Sequence, residues 1–176
     1  MKLIIIIIAV SLIALIVAAV AIIALIGAGL PKEHVASRSI LLHKTPAEVY
    51  GVVRDFSSAP RWRTDLKQVD VKIQPNGRVH FREDGKQGAV NFEVVEDVPA
   101  QRMVTRILDT NLGYSGSWTY VFAPEGAGTR LTITENGVVS NVIFRFLSKY
   151  AFGHTATIDT YLTSLAKHFG ETAQPE

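Results

Sequence analysis

"GSWTYVFAPEGAGTRLTITENG", Gly116 to Gly137, decides the fold. Gly116, Trp118, Tyr120 and Phe122 fall on one face of its first half, and Ser117, Thr119 and Val121 on the other. That two-residue alternation is the period of a β-strand. Pro124 to Gly128 is a glycine-rich reversal, after which Leu131, Ile133 and Glu135 share a face of a returning strand. Two strands joined this tightly form an antiparallel hairpin, here with an aromatic face directed inward.

Upstream, the same alternation recurs. Val69, Val71 and Ile73 form one strand, closed by the turn Pro75-Asn76-Gly77; Val79 and Phe81 form the next, closed by Glu83 to Lys86. Val90, Phe92 and Val94 follow, then Met103 to Leu108, then the hairpin. A further strand, Val35 to Leu42, precedes this meander. Between them, Thr45-Pro46-Ala47-Glu48 is a capping box with proline at the first helical position, so a helix is expected to end near Asp55. Downstream of the hairpin the period changes. Phe144, Leu147, Ala151, Thr155, Ile158, Leu162, Leu165 and Phe169 recur at three and four residues, which predicts one long helix with a broad apolar stripe. Such a stripe needs an apolar partner, and the inner face of the sheet is the large one available. The expected class is α+β: a curved antiparallel sheet wrapped around a long C-terminal helix.

The other end of the chain is of a different kind. Leu3 to Leu30 carries no charge and a single hydroxyl, Ser11. As a helix, that run spans roughly 42 Å, more than the ~30 Å hydrocarbon core of a bilayer. A transmembrane helix over residues 1–30 is therefore expected. A cleaved signal peptide is the rival reading, with Gly27-Ala28-Gly29 as its small residues, but the apolar run is about twice the usual length. The expected location is a plasma (inner) membrane with a single pass. An export-like start leans the domain towards the extracytoplasmic side, although the charge count does not decide orientation for a long domain. Ser11, Ala14, Ala18, Ala21, Ala24 and Ala28 give the helix a small face, a surface suited to a homo-oligomer. Residues 31–33 form a short linker, 34–170 one domain and 171–176 a tail.

Setting Lys2 aside, 17 basic residues face 16 acidic ones after residue 30. With no dense basic run, nucleic acid is an unsuitable partner. There is no cysteine, hence no disulfide or thiolate chemistry. His34, His43, His80, His154 and His168 show no metal-ligand spacing, and no phosphate loop or dinucleotide fingerprint is present, so no metal or cofactor is implied. His154 reads as a core histidine of the long helix.

The stretches "KTPAEVYGVVRDFSSAPRW", "VVEDVPAQRMVTRI", the opening hairpin and "FRFLSKYAFG" resemble the SRPBCC superfamily, the START-related helix-grip fold. The likeness is greatest to its polyketide cyclase/dehydrase-like branch, and it covers about Val35 to Gly170. It implies a hydrophobic cavity between sheet and helix, used in such proteins for lipids, polyketides, quinones or hormones. It departs from the pattern at Asn141, where valine rather than proline follows.

On this resemblance Phe56, Trp62, Phe92, Trp118, Tyr120 and Phe144 are the candidates for ligand contact, each against the simpler reading of a core residue. Trp62 is expected at the cavity rim with Phe56 beneath it, or in the core; Arg61 and Arg63 are expected to face solvent or headgroups. Glu135 sits on an apolar face, where an unpaired carboxylate is costly. An ion pair with Arg145 or Arg106 is its structural reading; with Tyr120 it is the candidate acid/base pair of a cyclase/dehydratase-like enzyme. Asn91 and Glu93 are read as solvated. Three functions are carried forward: membrane-anchored binding of a hydrophobic small molecule such as a lipid or quinone, the cyclase-like enzyme, and a ligand-free membrane interaction module.

Overall fold

The computed structural model describes residues 2–86 and 88–176. Seven strands form one antiparallel sheet in the order β1-β7-β6-β5-β4-β3-β2. They are β1 (Glu33–Leu42), β2 (Leu66–Ile73), β3 (Val79–Gly85), β4 (Gly88–Val98), β5 (Arg102–Ile107), β6 (Tyr114–Glu125) and β7 (Gly128–Val139). Every strand from β2 to β7 pairs with its sequence neighbour, and β1 closes on β7. The hairpin read first in the sequence is the longest ladder, in register from Tyr114–Val139 to Glu125–Gly128. At Val95 the β4–β5 pairing slips by one residue, a bulge that bends the sheet.

Helix α1 (Lys2–Ala28) is the apolar segment, long enough to cross a bilayer. Helix α2 (Pro46–Arg54) starts as the capping box requires: the Glu48 N–H donates to Thr45 Oγ1, and the Thr45 N–H donates to the Glu48 carboxylate. A 3₁₀ turn, Phe56–Arg61, leads from it to Trp62.

The single long C-terminal helix expected from the periodicity is divided. Helix α3 (Val142–Leu147) runs into a π-helical turn at Ser148–Phe152, Gly153 breaks the chain at φ +75°, and α4 (Ala156–His168) follows. The apolar period continues through the break, but the backbone of Gly153 lies where residues with a side chain are strained. Asn141 caps α3, accepting from the N–H groups of Ile143 and Phe144; an asparagine cap needs no following proline.

Only α4 lies in the grip of the sheet. Its Ile158, Tyr161, Leu162 and Leu165 are buried with Ile40, Leu42, Met103, Phe122, Leu131 and Ile133 from the concave face. Helix α3 packs instead on α1. A Cβ on Gly27 would overlap the Val142 carbonyl oxygen, so only glycine permits this approach. The tail also has a place: Glu176 exchanges two backbone hydrogen bonds with Ser39 on the outer edge of β1, at 2.8 and 2.9 Å.

Candidate functional site

The interior in which the resemblance implies a ligand cavity is occupied by aromatic rings. Tyr161 of α4 stands at its centre, with ring centroids 5.2 Å from Trp62, 5.8 Å from Trp118 and 5.9 Å from Tyr120. Beside it Phe56, Phe81 and Phe92 stack in series at 4.0 and 5.0 Å. Edge-to-face and stacked contacts at such distances are those of a packed core. Burial pushes the Tyr120 and Tyr161 phenols well above their usual range, so both stay protonated at neutral pH.

Trp62 is buried and takes the core place of its two expected ones. Its indole N–H has no acceptor. Phe56 lies against Phe81 and the Arg54 guanidinium. Arg61 is exposed, but Arg63 is not solvent-facing as expected. It donates to Asp65 and Glu83, each at 2.6 Å, and lies 5.2 Å above the Tyr161 ring. The charge is retained inside because two carboxylates and an aromatic face replace its water. The Arg63 guanidinium holds Asp65 below the usual carboxylate range despite Asp65's partial burial, whereas burial raises Glu83 and Arg63 offsets only part of that rise.

Glu135 has neither expected arginine. Arg106 pairs with Glu93 at 2.7 Å, and Arg145 donates to backbone carbonyls. The Glu135 carboxylate instead accepts from Trp118 Nε1 at 2.9 Å and from His34 Nε2 at 3.2 Å. The His34 ring in turn stacks on His154 at 4.2 Å. His154 is not in a long helix; it sits in the turn between Gly153 and α4. Gly137, the register partner of His34, makes room, since a Cβ there would fall inside the imidazole. His154 titrates below the usual histidine range, first because of burial and then because of His34. Glu93, expected to be solvated, is almost inaccessible. Arg78 at 2.5 Å and Arg106 cover it, and these arginines hold it below the usual carboxylate range.

Glu135 bonds Trp118 and His34, while Tyr120 is buried against Tyr161 and Trp118. Phe144 is 46% exposed on α3, away from the other candidates. What the structure does assemble is a cleft of ≈ 250 Å³ beside the C-terminal end of α1. Leu30, Pro31, Lys32, Glu33, His34, Val139, Arg145, Lys149 and His154 line it. On the sheet, Val90, Phe92, Ile107 and Trp118 are half-buried. Sequence reasoning passed over His34 and His154, whose ring contact joins opposite ends of the domain. The signal for Arg145 was present, as one arginine inside the apolar run "VIFRFL".

A family model described as polyketide cyclase/dehydrase and lipid transport matches residues 33–170. The chain belongs to that family. Its fold is that of a START superfamily protein from Mycobacterium smegmatis, at 16% identity and a TM-score of 0.60, over 77% of this chain and 96% of that one. The Zhui aromatase/cyclase from Streptomyces sp. R1128 is similar at 11% identity and a TM-score of 0.61, covering 77% and 93%. The di-domain aromatase/cyclase StfQ of the steffimycin pathway gives a TM-score of 0.63 at 10% identity. The match spans 78% of this chain and about half, 52%, of StfQ. None of the curated proteins matches. At these identities the structural likeness carries the helix-grip fold, and the family match carries the association with hydrophobic small molecules.

Proposed function

We propose that this family member binds a hydrophobic small molecule, such as a lipid or quinone, that it meets at a membrane surface. The observation that carries the reading is the position of the cleft. Leu30 and Pro31, where the membrane-length helix ends, form part of its wall, and Val139 adds apolar surface. An apolar ligand in a bilayer would reach this wall without crossing water, and burial at about 25 cal/mol per Å² supplies affinity with few polar contacts. Residues 1–30 would act as a single-pass anchor in the plasma membrane, with the domain on the extracytoplasmic side. The test is native mass spectrometry of the full chain extracted in polymer-bounded lipid discs. An apolar molecule retained beyond its share of the bulk lipid is expected; retention that mirrors the bulk membrane overturns the reading.

One observation favours an enzyme as the second reading: His34, bonded to the Glu135 carboxylate, lines the same cleft. A carboxylate that orients an imidazole is a common arrangement for proton transfer. The group in that role would be His34, with Tyr120 too enclosed to share it. Glu135→Gln keeps an acceptor for Trp118 but loses the carboxylate. Such a variant, folded and inactive on a polyketone that the parent cyclises, is the expected result; equal turnover removes this reading.

A further inference from the structure

We infer that the cleft at the end of the anchor is a binding site for the anionic head group of a membrane amphiphile, with the cation Arg145 at its base. The inference rests on the ligand-binding reading above and names the class of ligand.

Arg145 is 7% exposed, yet no carboxylate meets it among the described residues. Its Nη1 donates to the Leu30 carbonyl at 2.9 Å and its Nη2 to the Ser140 carbonyl at 3.3 Å, while Nε has no acceptor. Carbonyl dipoles offset only part of the cost of taking a guanidinium out of water; an anion offsets far more. Other strongly buried charges among the described residues have a counter-ion: Arg63 has Glu83 and Glu93 has two arginines. Arg145 is the exception, and it lines the cleft.

Among the other charged side chains of the wall, the basic ones outnumber the acidic one. Lys32 and Lys149 are exposed at the cleft, Glu33 is the single acid on it, and His34 and His154 add imidazole donors. The volume separates a head group from a whole lipid: ≈ 250 Å³ lies below the roughly 300–1,000 Å³ that encloses drug-sized ligands. A phosphate or carboxylate head group fits, and the chains remain outside along α1.

The surroundings place the site at headgroup depth. The apolar run ends at Leu30, and the Gly27–Val142 approach sets α3 beside the last turn of α1. Ile143, Phe144 and Tyr150 are exposed on that segment at 37, 46 and 58%, and Lys149 stands 5.5 Å from the Tyr150 ring. Exposed aromatic and basic residues of this kind form the belt at a bilayer interface. Basic residues near such a surface favour anionic lipids.

The experiment uses the delipidated full chain in neutral detergent. It is titrated with short-chain phosphatidylglycerol, short-chain phosphatidylcholine or inorganic phosphate, and binding is read by melting temperature and retained adducts. Phosphatidylglycerol is expected to bind about ten-fold more tightly than phosphatidylcholine. The double variant Lys32→Ala/Lys149→Ala, both exposed side chains, should lose that preference with its unliganded melting temperature unchanged. Arg145→Gln should lose it as well, and Arg145→Lys should retain part. Equal binding of the two lipids, or a preference untouched in the double variant, overturns the head-group site while leaving apolar-ligand binding standing. If neither lipid binds, the head-group site falls, and the apolar-ligand reading is decided separately by the molecule retained in the lipid discs. An equal response to inorganic phosphate at the same concentration overturns the membrane origin of the anion.

Discussion

Arg63 and His154 show how single side chains answer to what surrounds them. Arg63 is charged and enclosed because Asp65 and Glu83 both reach it. Replacing it with alanine strands the Glu83 carboxylate, a change that costs about 3 kcal/mol when one partner of a buried pair is lost. The melting temperature should fall by roughly 10 °C, and Glu83→Gln in the same chain should restore part of the loss. His154 behaves in the opposite sense to a paired cation. Its folded pKa is depressed by burial and by His34. Below about pH 6.5, therefore, the unfolded chain takes up the proton first and the folded state loses stability. The contribution is fully present above the unfolded value and declines as pH falls through the folded one. Acidification from pH 7.5 to 5.5 should lower the melting temperature more for the parent than for His154→Gln, and identical slopes would show that His154 is not the group responsible.

At the scale of elements, the informative ones are those that begin and end where local chemistry dictates. Thr45 starts α2 by a reciprocal hydrogen-bond box, and Thr45→Ala should cost about 1 kcal/mol in thermal unfolding. Gly153 ends the π-helical turn with a backbone conformation that penalises a Cβ, although nothing crowds the position. Gly153→Ala should destabilise by about 1–3 kcal/mol, with α3 drawn towards continuity with α4. The strands, the capping box and the turn at Pro75 to Gly77 were legible because period, glycine and proline act locally, whereas the turn expected over Glu83 to Lys86 comes later, since β3 stays paired through Gly85. The break in the last helix was not legible, since Phe144, Leu147, Ile158 and Leu165 keep one period across it. The periodicity records which residues are apolar. Whether α3 spends its apolar face on the sheet or on α1 depends on Gly27, which lies far away in sequence. The site was legible in the same uneven way. Trp118 and Glu135 were evident as an inward face, whereas the histidine that meets Glu135 comes from β1 and the ring stacked on it from the turn before α4. Local reading supplied arginines for that carboxylate; the three-dimensional register supplied an indole and an imidazole.

The molecule as a whole consists of a grip closed over α4 and an apolar helix joined to it through α3. Removing residues 2–30 would uncover Val142 beside Ile143 and Phe144, forming an apolar strip that adjoins Lys149 and Tyr150. The shortened chain should still associate with vesicles containing phosphatidylglycerol in a flotation assay, because an apolar face with basic neighbours binds an anionic surface without spanning it. Flotation equal to that of an unrelated soluble domain would contradict this. The contact of Gly27 with the Val142 backbone also gives the two parts a common bearing. A domain on a slack tether can swivel freely above a bilayer, but one clasped to its stem must turn when the stem turns. A change in the tilt or azimuth of α1, imposed by bilayer thickness, would therefore be carried mechanically into the α3 shoulder and alter the aperture beside it.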